Sequence, residues 1–143
     1  MPGNEARSEA IRWLGYARGD LAGAQADLIR EDVPARLAAF GAQQAAEKAI
    51  KALLMLLGAN FGRVHDLEAL TLMLPEDALT RLLDVDLERL TDYAVAGRYP
   101  DALEEIGREE AVRAVDQGTS IYEAVLADAE RLAGIGRDEI ISQ

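Results

Sequence analysis

Apolar residues in the first part of the chain recur with helical spacing. From about Glu5 to Arg30 they alternate at intervals of four and three, which places them in one stripe on a helical surface. The stripe consists of Ala10, Leu14, Ala17, Leu21, Ala24 and Leu28. A long amphipathic helix is therefore predicted, and Gly15, Gly19 and Gly23 predict a place on it where a neighbouring helix comes close.

A second helix is predicted from Pro34 to about Leu57, with Gly58 as a left-handed cap. Its middle is rich in small residues, which allow other helices to approach from several sides and predict a central position. These residues are Ala38, Ala39, Gly41, Ala42, Ala45, Ala46, Ala49 and Ala52. The few polar residues of this helix stand out against the apolar background: Gln43, Gln44, Glu47, Lys48 and Lys51.

The rest of the chain predicts short helices followed by one long helix. Asp66 and Asp86 are suited to cap two of the short helices. The last helix starts between Ala102 and Glu109 and continues to about Ala133, with apolar or small residues at strict four-three spacing. These are Ala111, Val115, Gly118, Tyr122, Val125, Ala129 and Leu132. The tail after Gly134 is predicted to be loose, with two isoleucines suited to pack on a partner.

The fold class follows from these elements. The chain has 143 residues, half of them apolar, and no pattern of strand alternation, so one domain with its own core is expected. We predict an all-α, up-and-down antiparallel bundle of four to five helices. The single domain spans residues 1–143, with a core over about 5–133 and a loose tail over 134–143. Because the chain has no Cys, packing alone must hold it.

Charge and hydropathy narrow the classes of function. Acidic residues outnumber basic ones by 26 to 15, for a formal charge of −11. The electrostatic field of this negative charge repels phosphate and so opposes broad nucleic-acid binding. No secretory signal is visible at the N-terminus, and the longest near-apolar run, Ala49–Ala59, is too short to cross a membrane. A cytoplasmic protein without membrane association is expected. The sequence contains no metal-binding or phosphate-loop motif, so no metal and no cofactor are predicted.

Two connections carry candidate chemistry. His65, the only histidine, directly precedes Asp66, and a neighbouring carboxylate can fix the tautomer of an imidazole for acid–base catalysis. The same arrangement also simply satisfies a turn. In Arg98-Tyr99-Pro100-Asp101, Arg98 suits a phosphate or carboxylate and Tyr99 suits stacking or hydrogen bonding. Alternatively, Arg98 caps a helix end while Tyr99 packs.

Polar residues of the second helix supply a third feature. Gln44, Lys48 and Lys51 share one stripe at spacings of four and three, and Glu47 and Lys51 are spaced for a helical ion pair. On so apolar a helix, this stripe predicts a buried polar network or a partner surface. A solvated face is the alternative.

Together these segments resemble HEPN domains, in the order and at about the distances of that family. The similarity lies in FGAQQAAEKAIKALL over residues 40–54, in HDL over 65–67 followed by Leu70, and in RYPD over 98–101. It spans about Ala10 to Leu132. The resemblance implies a bundle of four or five helices that often forms homodimers. Many relatives are encoded beside, or fused to, a small nucleotidyltransferase, and several such pairs act as toxin–antitoxin modules.

The toxin-like branch of the family is a metal-independent RNase, and this sequence departs from its motif. That motif has four to six residues between an Arg and a following His, whereas the Arg nearest before His65 is Arg63, with one residue between them. RNase activity is therefore not carried over. The branch with His-Asp-Leu and Arg-Tyr-Pro implies nucleotide binding or pairing with a nucleotidyltransferase. The candidate binding residues carried over by position are Gln44, Lys48, His65, Arg98 and Tyr99.

Three functions are consistent with these patterns. The first is a non-catalytic, homodimeric HEPN partner of a small nucleotidyltransferase or a nucleotide-binding module, of toxin–antitoxin type. The second is an RNase that combines His65 with an arginine from elsewhere, such as Arg98. The third is a structural helical interaction module in which both residues only hold turns. The missing motif favours a protein that is not an enzyme.

Overall fold

The computed structural model describes residues 3–96 and 106–142, and within these ranges every regular element is a helix. The predicted all-α class and helical bundle are confirmed. In chain order the helices are α1 (Asn4–Ile29), α2 (Ala35–Leu56), α3 (Leu67–Leu72), α4 (Leu79–Leu82), α5 (Leu87–Ala96), α6 (Arg108–Ala133) and α7 (Arg137–Ile141). Four of them are long enough to form the body of the bundle, namely α1, α2, α5 and α6.

Helix α2 lies at the centre, packed against α1, α6, α5 and α3, as its small residues predict. Two glycines permit the closest approaches. A Cβ on Gly41 would lie 3.1 Å from Cβ of Ala24 on α1, and one on Gly118 of α6 would lie 3.0 Å from the carbonyl oxygen of Ala42. The apolar stripes predicted on α1 and α6 face this helix, and all of their members are buried except the partly buried Leu28 and Leu132.

The glycine stripe on α1 does not serve the predicted purpose. A Cβ added to Gly15, Gly19 or Gly23 would meet nothing within 4 Å, so no neighbouring helix within the described residues approaches them. That prediction was wrong because glycine content alone does not show on which side of a helix the neighbour lies. The close contact of α1 with α2 is instead made through Ala24 and Gly41.

Predicted caps fix the connections around the second and third helices. Gly58 has a φ of 74°, the left-handed conformation that glycine adopts without steric cost. The Asp66 carboxylate accepts a hydrogen bond of 3.0 Å from the backbone N–H of Ala69 and so caps α3. The Asp86 carboxylate does the same for α5, where Arg89 N–H donates at 3.0 Å. The loop that carries His65 is thus held between two fixed helix ends.

The C-terminal tail, predicted to be loose, instead forms α7 and packs within the chain. Ile140 is buried, and Glu139 accepts a bidentate ion pair from Arg7 of α1, with two contacts of 2.8 Å. Arg137 reaches Glu123 of α6 at 2.6 Å. A helix of five residues is unstable alone, so these long-range contacts create it, and local sequence does not reveal them.

Candidate functional site

Polar side chains on three successive turns of α2 form a connected network at its C-terminal half. Gln43, Glu47 and Lys51 follow one another at intervals of four, so their side chains meet on one edge of the helix. The amide of Gln43 donates to Glu47 Oε1 at 3.1 Å, and Lys51 Nζ donates to Glu47 Oε2 at 3.1 Å. The predicted pair of Glu47 and Lys51 is confirmed, and only 5% of Lys51 is exposed.

His65 joins this network from the connection between α2 and α3. Its Nδ1 lies 3.0 Å from Glu47 Oε2 and 3.3 Å from Lys51 Nζ. The two capped helix ends on either side of the connection place the ring against α2. About 70% of the His65 side chain is nevertheless exposed, so the imidazole is held on one side and open on the other.

The contacts favour one tautomer of this imidazole. A carboxylate oxygen only accepts hydrogen bonds, and it would repel an unprotonated Nδ1 at 3.0 Å. Glu47 Oε2 can accept from both the Lys51 ammonium and an Nδ1–H of His65, and Nδ1 lies closer to this carboxylate, at 3.0 Å, than to the Lys51 ammonium, at 3.3 Å. We therefore assign the proton to Nδ1. That assignment leaves Nε2 as the ring atom available to a ligand.

Burial and hydrogen bonding act in opposite directions on the Glu47 carboxyl. Burial raises its pKa, but hydrogen bonds from His65, Lys51 and Gln43, together with the charge of Lys51, lower it by more, so the net pKa lies below the ordinary value of 4.5. The carboxylate consequently stays charged and compensates the buried ammonium of Lys51. That ammonium also lies 5.4 Å from the ring centre of Phe61, within range of a cation–π interaction.

The structure separates the predicted site residues. Gln44 belongs to the network indirectly, because its amide donates to Gln43 Oε1 at 2.7 Å. Lys48 does not belong to it: its Nζ pairs with Asp20 of α1 at 2.6 Å. Arg98 and Tyr99 lie outside the described residues.

Gln43, Glu47 and Lys51 form the centre of the network but were absent from the candidate set. Their signal in the sequence is the repeated interval of four in Gln43-x3-Glu47-x3-Lys51, which is the spacing of side chains on adjacent turns. That spacing indicates mutual contact within the helix. It does not indicate that a histidine 14 positions beyond Lys51 returns to the same carboxylate.

A second polar cluster lies between α5 and α6. Glu110 accepts from Arg89 Nε and from the Tyr93 hydroxyl, each at 2.7 Å. Burial, and then the bond to Glu110, raise the pKa of Tyr93 to about 12. These residues, together with Arg113 and Gln117, line a recess of about 200 Å³. Arg89 and Glu110 neutralise one another within this recess. These contacts therefore account for the packing of α5 against α6 without a ligand.

Metal clusters and membrane-spanning helices do not occur in the described part of the chain. Residues 3–96 and 106–142 contain no group of three or more acidic or histidine side chains arranged to hold a metal ion. No helix in the same ranges combines the length and the apolar character that crossing a membrane requires.

Comparison with known proteins supplies the family. The model of the HEPN domain matches residues 10–131, which includes α2, the His65 connection and most of α6. The chain belongs to the HEPN domain family. No significant match was found among curated proteins.

Two solved HEPN-like structures share the fold. TT1696 from Thermus thermophilus is 35% identical, with a TM-score of 0.65, over 81% of this chain and 94% of that one. ST0689, an archaeal HEPN homologue, is 25% identical, with a TM-score of 0.64, over 83% of this chain and 96% of the other. Both alignments cover nearly the whole of the solved chain and about four fifths of this HEPN protein.

Proposed function

We propose that this HEPN protein is a non-catalytic, homodimeric, cytoplasmic partner of a small nucleotidyltransferase, of toxin–antitoxin type, and that it recognises a nucleotide at His65. The observation that carries the proposal is the imidazole whose Nδ1 is held by Glu47 while most of the side chain is exposed. A ring fixed on one edge offers the opposite edge, Nε2, in a defined direction. Pre-orientation of this kind lowers the ordering cost of binding.

The charges around His65 suit a single nucleotide better than a nucleic-acid strand. Glu47 and Lys51 neutralise one another within the network, so the carboxylate that contacts His65 is compensated when a phosphate approaches the ring. Nε2 can take up a proton and then donate a charge-assisted hydrogen bond to a phosphate oxygen. The chain as a whole carries −11, which opposes the many phosphate contacts of a longer strand.

Isothermal calorimetry with ATP and AMP tests nucleotide recognition at His65. We expect the wild type to bind one of them with a Kd on the order of tens of micromolar or tighter, and His65→Ala to bind at least about tenfold more weakly. His65→Gln places an amide near the position of Nε2, whereas His65→Asn places one near that of Nδ1. If Nε2 makes the contact, His65→Gln retains more affinity than His65→Asn.

A matched control is Arg30→Ala, which removes a charge from the exposed pair Arg30–Asp32 near the other end of α2. Its affinity should equal that of the wild type. No heat of binding for either nucleotide at protein concentrations of roughly 100 µM would refute nucleotide recognition.

Partnership with a nucleotidyltransferase requires a separate experiment. Where such an enzyme is encoded beside this chain, the two purified proteins should elute together in size-exclusion chromatography. Sedimentation of this chain alone should give the mass of a dimer. Even a weak complex forms at concentrations on the order of tens of micromolar. Separate elution of the two proteins at such concentrations would refute the partnership.

One observation also supports a second candidate, a metal-independent RNase. A histidine whose Nδ1 is oriented by a carboxylate is an arrangement that positions Nε2 for general acid–base catalysis. Incubation of RNA with wild type and with His65→Ala, in the presence of EDTA, separates this candidate from the first. Cleavage by the wild type that disappears in the variant would establish it, whereas equal or absent cleavage removes it.

A further inference from the structure

The single-turn helix α4 is held in place by a buried carboxylate. Asp128 of α6 is fully buried and accepts hydrogen bonds from Leu79 N–H and Thr80 N–H, both at 2.9 Å, and from the Thr80 hydroxyl at 2.7 Å. Four residues cannot form a stable helix by themselves. The carboxylate therefore determines the conformation of α4.

Two arginines fix the remainder of this corner. Arg131 of α6 donates to the Asp77 carbonyl at 2.9 Å and pairs with the Asp77 carboxylate at 3.1 Å. Arg81 of α4 donates to the Leu74 carbonyl at 3.0 Å, which ties α4 to the end of α3. Hydrogen bonds and an ion pair therefore hold the segment from α3 to α4 at several points.

This rigidly held segment presents apolar side chains to solvent. Leu72, Met73, Leu79 and Leu82 are between 40% and 66% exposed. They make up four of the nine large apolar side chains that are exposed within the described residues, yet they fall within eleven consecutive positions. Exposed leucines forgo the free energy of burial, and clustered ones mark interaction sites. We call these four side chains the α3–α4 surface.

Acidic side chains near the α3–α4 surface limit its partner. Glu68, Glu76 and Asp84 are exposed in or beside the same segment, whereas the nearby cations Arg81 and Arg131 already bind backbone carbonyls. Two copies of this chain that met through the α3–α4 surface would bring these acidic side chains opposite one another, which opposes association at this surface. A partner with basic residues around an apolar face is complementary.

We propose that the α3–α4 surface docks an amphipathic helix of a partner protein, with apolar residues facing Leu79 and Leu82 and with Lys or Arg along its flanks. In such docking, apolar anchors supply affinity and flanking charges supply orientation. Because α3 and α4 are already fixed, docking requires little ordering on this side. The inference rests on the proposed function insofar as that function requires a protein partner.

Fluorescence anisotropy with a labelled synthetic helical peptide tests this surface. The peptide carries leucines on one face and lysines on its flanks, and a scrambled peptide of the same composition and charge serves as its control. We expect the amphipathic peptide to bind at least about tenfold more tightly than the scrambled one. Leu79→Ser/Leu82→Ser should abolish that preference, while Ile29→Ser, at an apolar residue exposed on α1, should retain it.

Three results would overturn the inference. The first is equal binding of the amphipathic and scrambled peptides to the wild type, and the second is binding of the amphipathic peptide to the Leu79→Ser/Leu82→Ser protein as tight as to the wild type. The third is a wild-type dimer that this double substitution converts into a monomer. The last would identify a second copy as the occupant. Both substitutions are at exposed positions, so circular dichroism should show an unchanged fold. Calorimetry of ATP with the same variant separates the two proposals, because nucleotide binding at His65 should persist whatever the peptide does.

Discussion

The pairing of Lys51 with Glu47 is the energetic centre of the site. An ammonium that is only 5% exposed loses most of its hydration, and a charge partner must offset that loss. Glu47 provides it and at the same time holds Nδ1 of His65. The same carboxylate therefore serves both the stability of the bundle and the orientation of its one histidine.

Glu47→Gln should destabilise the protein by roughly 2–4 kcal/mol, because it leaves the buried ammonium of Lys51 without a counter-charge. Urea denaturation measures the change in the free energy of unfolding. Asp32→Asn, in an exposed pair with Arg30, should leave the free energy of unfolding close to that of the wild type. The double variant Glu47→Gln/Lys51→Met should recover much of the loss, and failure to recover it would show that charge is not the cause.

The lowered pKa of Glu47 gives stability a defined dependence on acid. A carboxyl whose pKa is lower in the folded than in the unfolded protein stabilises fully above the unfolded value of 4.5, and this contribution is lost as the pH falls through the folded value. Stability measured between neutral pH and pH values below 4.5 should therefore fall more steeply for the wild type than for Glu47→Gln. Parallel curves would contradict the assigned contacts.

Tyr93 should produce the opposite dependence in alkali. Its pKa is raised from 10.0 to about 12 by burial and by the bond to Glu110, so its contribution to stability is present below pH 10.0 and disappears as the pH rises to about 12. When phenolate absorbance is followed as the pH rises, Tyr93→Phe should show one phenol fewer than the wild type titrating near pH 12.

At the scale of elements, helices α2 and α6 pack closely at Gly118. Gly118→Ala would place a methyl group 3.0 Å from the Ala42 carbonyl oxygen and 3.2 Å from its Cβ, so two helix backbones must separate. We expect a loss of about 1–2 kcal/mol, since overpacking outweighs the helix propensity of alanine. Gly19→Ala, which meets open space, should instead gain about 0.5–1 kcal/mol. Thermal or urea unfolding of both variants provides the comparison.

The sequence predicted the long helices better than the short ones. Four-three spacing on α1 and α6 and the caps at Gly58, Asp66 and Asp86 are local signals, and each is present in the structure. Helix α7 was predicted to be a loose tail because its support comes from Arg7 and Glu123. Residues so distant in sequence leave no periodic pattern.

For the whole molecule, composition and periodicity sufficed for the fold but only partly for the site. Half of the residues are apolar, the second helix is rich in alanine, and no strand pattern is visible in the sequence. These features predict an all-α bundle with α2 at its centre. The meeting of His65 with Glu47 depends on the path of the connection back to α2, which no spacing rule specifies. Lys48 is the opposite case. Its spacing predicted a stripe shared with Gln44, whereas in the structure its Nζ pairs with Asp20 on α1.

The most direct test of the proposed site is the ring of the only histidine in the chain. A long-range proton–nitrogen correlation spectrum of the labelled protein reports the tautomer and the environment of both ring nitrogens of His65 without ambiguity of assignment. We expect the proton on Nδ1 in the free protein and, on titration with ATP or AMP, whichever binds in calorimetry, a progressive shift of Nε2 that saturates. A proton on Nε2 in the free protein, or a ring whose signals move with neither nucleotide, would contradict the site proposed for this HEPN protein.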